Sequence, residues 1–248
     1  MIKVSVVIIT LNEEENIGRC LDSIKDIADE IILVDDNSND KTTSVAEELG
    51  IKHIIRHDTN LGYGGNQKSC YNKALELNSD IIIMLHPDYQ YTPRLIHSMA
   101  YLIADDVYEI VLGSRILGNG ARRGGMPLYK YFANRLLTFA QNILMNQKLS
   151  EYHTGYRGFT ARVLRSISYN RNSNDYVFDN QMLAQVLFAG FNIGEISCPT
   201  HYFKEASSIN FKRSIVYGTG VLKTSFCYML QKMGLARFDI FKSPFKED

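Results

Sequence analysis

Apolar and polar positions give the two halves of this chain different textures. Up to about Leu112, short continuous apolar runs alternate with stretches whose apolar residues recur every three or four positions. The runs predict buried strands and the spaced stretches predict amphipathic helices. Strands are expected at Val4–Ile9, Ile31–Val34, Ile51–Ile55, Ile81–Leu85 and Glu109–Leu112. The first helix is expected to open at Asn12, with Glu15 completing a capping box and Ile17, Leu21 and Ile24 on one apolar face. The second passes Val45 and Leu49 and stops at Gly50. The third leaves the loop Asn60–Gly65 and runs through Ala74 and Leu77, and the fourth spans Pro93 to about Ile103 behind Thr92. This alternation predicts an α/β fold: a mostly parallel, Rossmann-like sheet with helices on both faces.

Beyond Gly113 the pattern loosens. A Gly/Arg-rich loop (Gly118–Gly125) precedes a long helix, about Leu128–Asn146. A short strand near Tyr156–Thr160, two helices and a strand near Asn192–Ile196 are expected next. The tail Phe211–Gly234 reads as helical and mixes apolar with basic residues. The expected division is one domain over residues 1–210 and a C-terminal helical arm over 211–248. Such an arm suits a peripheral membrane contact or a homodimer contact. Packing on its own domain is the plainer alternative.

Composition narrows the picture. The chain has 248 residues, 45% of them hydrophobic, enough for one sizeable core. Lys and Arg number 27, as do Asp and Glu, so no basic excess points to nucleic acid. Cys20, Cys70, Cys198 and Cys227 lie far apart, as expected of reduced thiols in the cytoplasm. No apolar run approaches the roughly 20 residues of a membrane span. A cytoplasmic protein is expected, with a place at the cytoplasmic face of the membrane left open.

Candidate chemistry collects where strands end. His86-Pro87-Asp88-Tyr89-Gln90 follows the buried run Ile81–Leu85, at the edge where open α/β sheets bind ligands. In extended chain the alternating His86, Asp88 and Gln90 would share one face. Imidazole, carboxylate and amide oxygen suit Mn²⁺ or Mg²⁺. Thr10-Leu11-Asn12-Glu13, Asp35-Asp36, Asn60–Gly65 and Gly113-Ser114-Arg115 fall at the other strand ends. The glycine loop lacks the Gly-Lys-Ser/Thr ending of a P-loop and does not follow the first strand as a dinucleotide fingerprint would.

In this order TLNEEENI, VDDNS, NLGYGG, an acidic strand end before Gln-x-x-Pro, GSR and Thr-Gly-Tyr-Arg resemble family-2 glycosyltransferases of the GT-A fold. The resemblance is greatest to polyprenyl-phosphate (dolichyl-phosphate) mannosyl- and glucosyltransferases. It covers Val4 to about Ser208, roughly four-fifths of the chain. It implies an inverting hexosyltransferase that moves a sugar from a UDP-, GDP- or dTDP-linked donor to a polyprenyl phosphate. Transfer to a saccharide hydroxyl, in polysaccharide or glycolipid assembly, is the alternative acceptor chemistry. A non-catalytic sugar-nucleotide-binding protein is the alternative from another class.

Residue roles carry over from the resemblance position by position. Thr10, Asn12, Glu13, Asp35 and Asp36 would line the nucleotide pocket, and Gly62, Gly64 and Gly65 would let backbone approach it. His86, Asp88 and Gln90 would hold the metal, with His86 standing where the family has Asp; that change favours Mn²⁺ over Mg²⁺. Lys204, Ser207 and Ser208 match a loop that closes over the diphosphate. Arg115, Arg122, Arg123, Thr154 and Gly155 fall on the acceptor side. Asp88, Arg115 and Asp179 are the expected catalytic residues, Asp179 hydrogen-bonding the moving sugar or activating a hydroxyl.

Overall fold

The computed structural model describes residues 2–200, 202 and 211–244. Its first half follows the expected alternation. β1 (Val4–Thr10) leads to α1 (Glu14–Ile24), β2 (Glu30–Asp35) to α2 (Thr42–Glu48), β3 (His53–Arg56) to α3 (Tyr63–Glu76), and β4 (Ile81–Leu85) to α4 (Ile96–Ala104). Then come β5 (Ile110–Ser114), the short α5 (Gly120–Arg123), α6 (Leu128–Met145), β6 (Arg157–Thr160), α7 (Ala161–Ser166), α8 (Phe178–Phe188), β7 (Ile193–Ser197) and α9 (Phe211–Lys232).

The strands form one seven-stranded sheet in the order β3-β2-β1-β4-β6-β5-β7. Parallel pairing joins β1 to β2 and β4, β2 to β3, and β5 to β7. The four-residue β6 runs antiparallel between β4 and β5. The middles of the central strands are apolar, and β4 is apolar throughout, because both sheet faces are covered. Val7, Ile9, Ile82, Met84, Ile110 and Leu112 face a core with α3, α7 and α8. Val6, Ile8, Ile81, Ile83, Leu85 and Val111 face the other, with α1 and α4.

The local expectations need four corrections. Asn12 does not cap α1: it adopts φ 56°, and its side-chain oxygen accepts from Asn39 N at 2.9 Å. The donors at that helix start are met by the start of α2 and the loop before it, Glu13 N by Thr42 Oγ1 (2.8 Å) and Glu14 N by Asp40 Oδ2 (3.0 Å). Gly64 and Gly65 lie in the first turn of α3 rather than in a loop. The Gly118–Gly125 segment is mostly short helix, not open loop.

The fourth correction concerns the tail. α9 packs between α6 and α8 and buries Val221, Thr224, Ser225 and Tyr228. Tyr217 on α9 accepts from Asn180 Nδ2 at 2.7 Å, and its hydroxyl lies 2.8 Å from His153 Nδ1. Residues 211–232 are therefore built into the domain and do not stand off as an arm. No helix among the described residues is long and apolar enough to cross a membrane.

Candidate active site

The chain leaves β1 for β2 on one side and reaches β4 on the other, so the carboxyl ends of β1 and β4 flank a topological switch point, where α/β sheets bind ligands. Glu13 and Asp88 follow these strand ends, near enough for the Glu13 carboxyl to feel the Asp88 charge. Burial, helped by the nearby Asp88 charge, raises the Glu13 carboxyl above its ordinary pKa. The Asp88 carboxylate accepts from Gln90 N at 3.1 Å and forms no ion pair among the described residues.

The segment 86–90 is a turn, not an extended strand end. Tyr89 takes φ 54°, so the predicted common face of His86, Asp88 and Gln90 does not form. The cation–π contact of Arg19 with the Tyr89 ring, 4.1 Å from its centroid, fastens the turn to α1. His86 turns inward: its Nε2 is 3.4 Å from Tyr63 Oη, and a side chain at Gly155 would collide with it. Burial lowers the pKa of this imidazole, which keeps it neutral. Among the described residues no three His, Cys, Asp or Glu side chains converge to hold a metal alone. What the turn offers instead is a carboxylate near Glu13 that forms no ion pair among the described residues. That donor chemistry fits a divalent cation completed by substrate phosphates, the usual arrangement for Mg²⁺.

The two aspartates at the end of β2 work internally. Asp35 is 0% exposed and accepts from Thr10 Oγ1 (3.1 Å), Ser38 N (2.9 Å) and Ser38 Oγ. It has no surface to offer a base, which corrects its expected role, and the same burial applies to the Thr10 hydroxyl. Asp36 accepts from Leu61 N (2.8 Å) and Gly62 N (2.9 Å), with His57 Nδ1 at 2.7 Å, and so fixes the loop entering α3. The glycines also serve packing. A Cβ at Gly62 would lie 2.7 Å from Asn174 O, and one at Gly64 would lie 2.5 Å from Ser173 O. Their close approach is to the segment before α8 rather than to an open pocket.

Asp179, at the start of α8, sits in a fixed cradle. Its carboxylate accepts from Tyr63 Oη (2.7 Å) and Gln67 Nε2 (3.1 Å) and lies 3.8 Å from the Arg157 guanidinium. Arg157, fully buried, also donates to the backbone oxygens of Tyr152, Thr154 and Asp179 at 2.9, 2.7 and 2.7 Å. Tyr63 thus bridges Asp179 and His86. Sequence reading missed Tyr63 and Gln67, although Tyr63 stands inside NLGYGG.

Arg115 departs furthest from expectation. Its guanidinium is already engaged by Glu151, by His153 O (2.9 Å) and by Tyr202 Oη (3.2 Å). Burial opposes the charge of both Arg115 and Glu151, yet their pairing raises the Arg115 pKa and lowers that of Glu151. Arg115 has no free fork for a phosphate. Thr154 is buried, donating to Gly113 O at 2.8 Å, and Gly155 N donates to Tyr91 Oη at 3.3 Å; both are structural. Arg122 and Arg123 differ: they are exposed, border an open cleft with Asn119, and form no side-chain hydrogen bond or ion pair among the described residues. Lys204, Ser207 and Ser208 lie outside the described residues.

The His153 contact gives a pH prediction. Burial lowers its pKa from 6.5 to about 4, so the unfolded chain takes up a proton that the folded chain refuses. The stability it contributes is complete above pH 6.5 and is lost as pH falls toward 4. Melting temperature should fall more steeply across that window in the native protein than in His153→Gln. Parallel curves would remove His153 from the titration.

A family model described as Glycosyl transferase family 2 matches residues 5–168. The UDP-N-acetylglucosamine–dolichyl-phosphate N-acetylglucosaminyltransferase of Methanococcus voltae is 28% identical over 92% of this chain and 96% of its own. An uncharacterized protein of Methanocaldococcus jannaschii is 27% identical over 83% of this chain and 84% of its own. Glucosyl-3-phosphoglycerate synthase from Mycobacterium tuberculosis, solved with Mg²⁺ and UDP, superposes with a TM-score of 0.70 at 17% identity, covering 95% of this chain and 80% of its own. That likeness shows the GT-A fold.

Proposed function

The chain belongs to glycosyl transferase family 2, and from that premise we propose that it moves a hexosyl group from a UDP-sugar to a polyprenyl phosphate. It is a glycosyltransferase with a nucleotide-sugar donor. The observation that carries the acceptor is the Methanococcus voltae relative, whose name specifies dolichyl phosphate and whose match spans nearly both chains. UDP is the donor nucleotide named for that relative and for the mycobacterial synthase.

In this reading Asp88, with Glu13 beside it, faces the donor diphosphate at the switch point. A divalent cation there would neutralise the departing diphosphate. The mycobacterial structures name both Mg²⁺ and Mn²⁺, and the neutral, inward-turned His86 gives no preference between them. Asn12, exposed at the rim, and Asp36, through the loop it holds, shape the nucleotide side. A phosphate oxygen of the acceptor attacks the anomeric carbon, the bond to the diphosphate breaks, and configuration inverts. A phosphate monoester is ionised near neutral pH, so attack needs no general base. Asp179 then orients a sugar hydroxyl, and Arg122 and Arg123 meet the acceptor's charge.

Titration calorimetry tests the donor half. UDP should bind with Mg²⁺ or Mn²⁺ present and lose most of its affinity in EDTA. No heat with UDP, GDP or dTDP under either condition would sink this reading. Asp179→Asn tests the acceptor half: a drop of about 10²–10⁴ in kcat would mark a base and favour a saccharide hydroxyl.

A further inference from the structure

α6 is turned inside out. Its buried residues include Asn134, Thr138 and Gln141, while Leu128, Tyr129, Phe132, Leu136, Phe139 and Ile143 are each more than 60% exposed. The buried polar face has definite partners: Asn134 Nδ2 donates to Glu151 Oε1 at 2.8 Å, and Gln141 Nε2 donates to Asn180 Oδ1 at 3.0 Å. A helix folded for water shows the opposite arrangement. The exposed side chains recur at three- and four-residue spacing, so they form one continuous stripe along the 18-residue helix. α9 lies alongside, with Ile215, Val216, Leu222 and Phe226 also exposed.

Charge identifies what covers this face. Residues 110–150 and 211–238 together hold eleven of the chain's 27 Lys and Arg and none of its 27 Asp and Glu. Arg115 among them is held by Glu151, but α6 and α9 themselves carry Lys130, Arg135, Lys212, Arg213, Lys223 and Lys232 and no Asp or Glu, so the helices with the exposed apolar residues are also basic. We propose that the α6–α9 face docks on an anionic lipid surface. The aromatic and aliphatic stripe enters the interface while Lys and Arg side chains meet lipid phosphates. A second copy fits less well, because an isologous contact would set two acid-free basic patches face to face. The face also adjoins the Arg122–Arg123 cleft, which lies just before α6. The proposal concerns the surface the enzyme rests on and does not require the polyprenyl phosphate reading.

The test is co-sedimentation with vesicles of phosphatidylcholine, with and without phosphatidylglycerol, and containing no polyprenyl phosphate. The bound fraction should rise with phosphatidylglycerol and fall with added NaCl. Phe132→Ser/Leu136→Ser/Phe139→Ser should lower partition about tenfold or more. These side chains are exposed, so the melting temperature should be kept. Lys130→Glu/Lys223→Glu supplies an independent charge test and should weaken binding to anionic vesicles alone. No partition to either vesicle, or equal partition for the native protein and both variants, would overturn the proposal. So would a dimer by light scattering that the serine substitutions dissociate, which would give the face to a second copy. Loss of partition with intact transfer to a short-chain, soluble prenyl phosphate would leave the acceptor reading standing. Partition without such transfer would leave the docking face standing.

Discussion

Asp88→Asn should lower glycosyl transfer about a hundred- to a thousandfold, the loss expected when one preorganised group facing developing charge is neutralised. The carboxylate sits at the switch point beside Glu13 and has no cationic partner among the described residues, so no ion pair is broken by the change. Melting temperature should therefore stay near that of the native protein. Metal-dependent affinity for UDP should fall in parallel with kcat. A variant with full turnover would move the diphosphate site elsewhere. One that simply unfolds would make Asp88 a structural residue.

Arg115→Met should destabilise the fold by about 3–5 kcal/mol, the cost of leaving a buried charge without its partner. Glu151 is 0% exposed, and its remaining donors, Arg115 N at 2.8 Å and Asn134 Nδ2 at 2.8 Å, are neutral. The double replacement Arg115→Met/Glu151→Leu should recover most of the loss, because it removes both buried charges together. Chemical denaturation of the four proteins in this cycle measures the coupling directly. If Arg115→Met kept native stability and raised only the acceptor KM, Arg115 would be a phosphate ligand after all.

The fate of Arg115 shows where sequence reading stops. Its partner lies 36 residues away. Nothing in Gly-Ser-Arg distinguishes a guanidinium waiting for a phosphate from one already held by a carboxylate. The glycines of NLGYGG carry the same ambiguity: they signal a close approach without saying to what, and here it is to Ser173, Asn174 and Phe178. Strands were more legible. Ile81–Leu85 was read to the residue, since five apolar residues between Asp80 and His86 leave no other boundary. β6 was found but its place was not. A four-residue strand running antiparallel between β4 and β5 is fixed by tertiary pairing, which local pattern does not encode.

Family motifs singled out the strand ends, and the structure gives several of their residues other work than expected. Asp179 is cradled by Tyr63 and Gln67, while Asp88 accepts from Gln90 N and forms no ion pair among the described residues. Asp35, Thr154 and Gly155 became scaffold because each is sealed by neighbours from elsewhere in the chain. A long helix over Leu128–Asn146 was expected, but helical pattern cannot say which side faces inward. That depended on Glu151 and Asn180 drawing its polar residues into the core.

Incubating the enzyme with sugar-labelled UDP-sugar, Mg²⁺ or Mn²⁺ and a polyprenyl phosphate tests the central claim most directly. The account predicts label in an organic-extractable, acid-labile lipid-linked sugar, with one UDP released for each sugar transferred and neither product formed by Asp88→Asn. Label that stays in water-soluble glycan or free sugar while the polyprenyl phosphate is unconsumed, across the UDP-sugars tried, would contradict it.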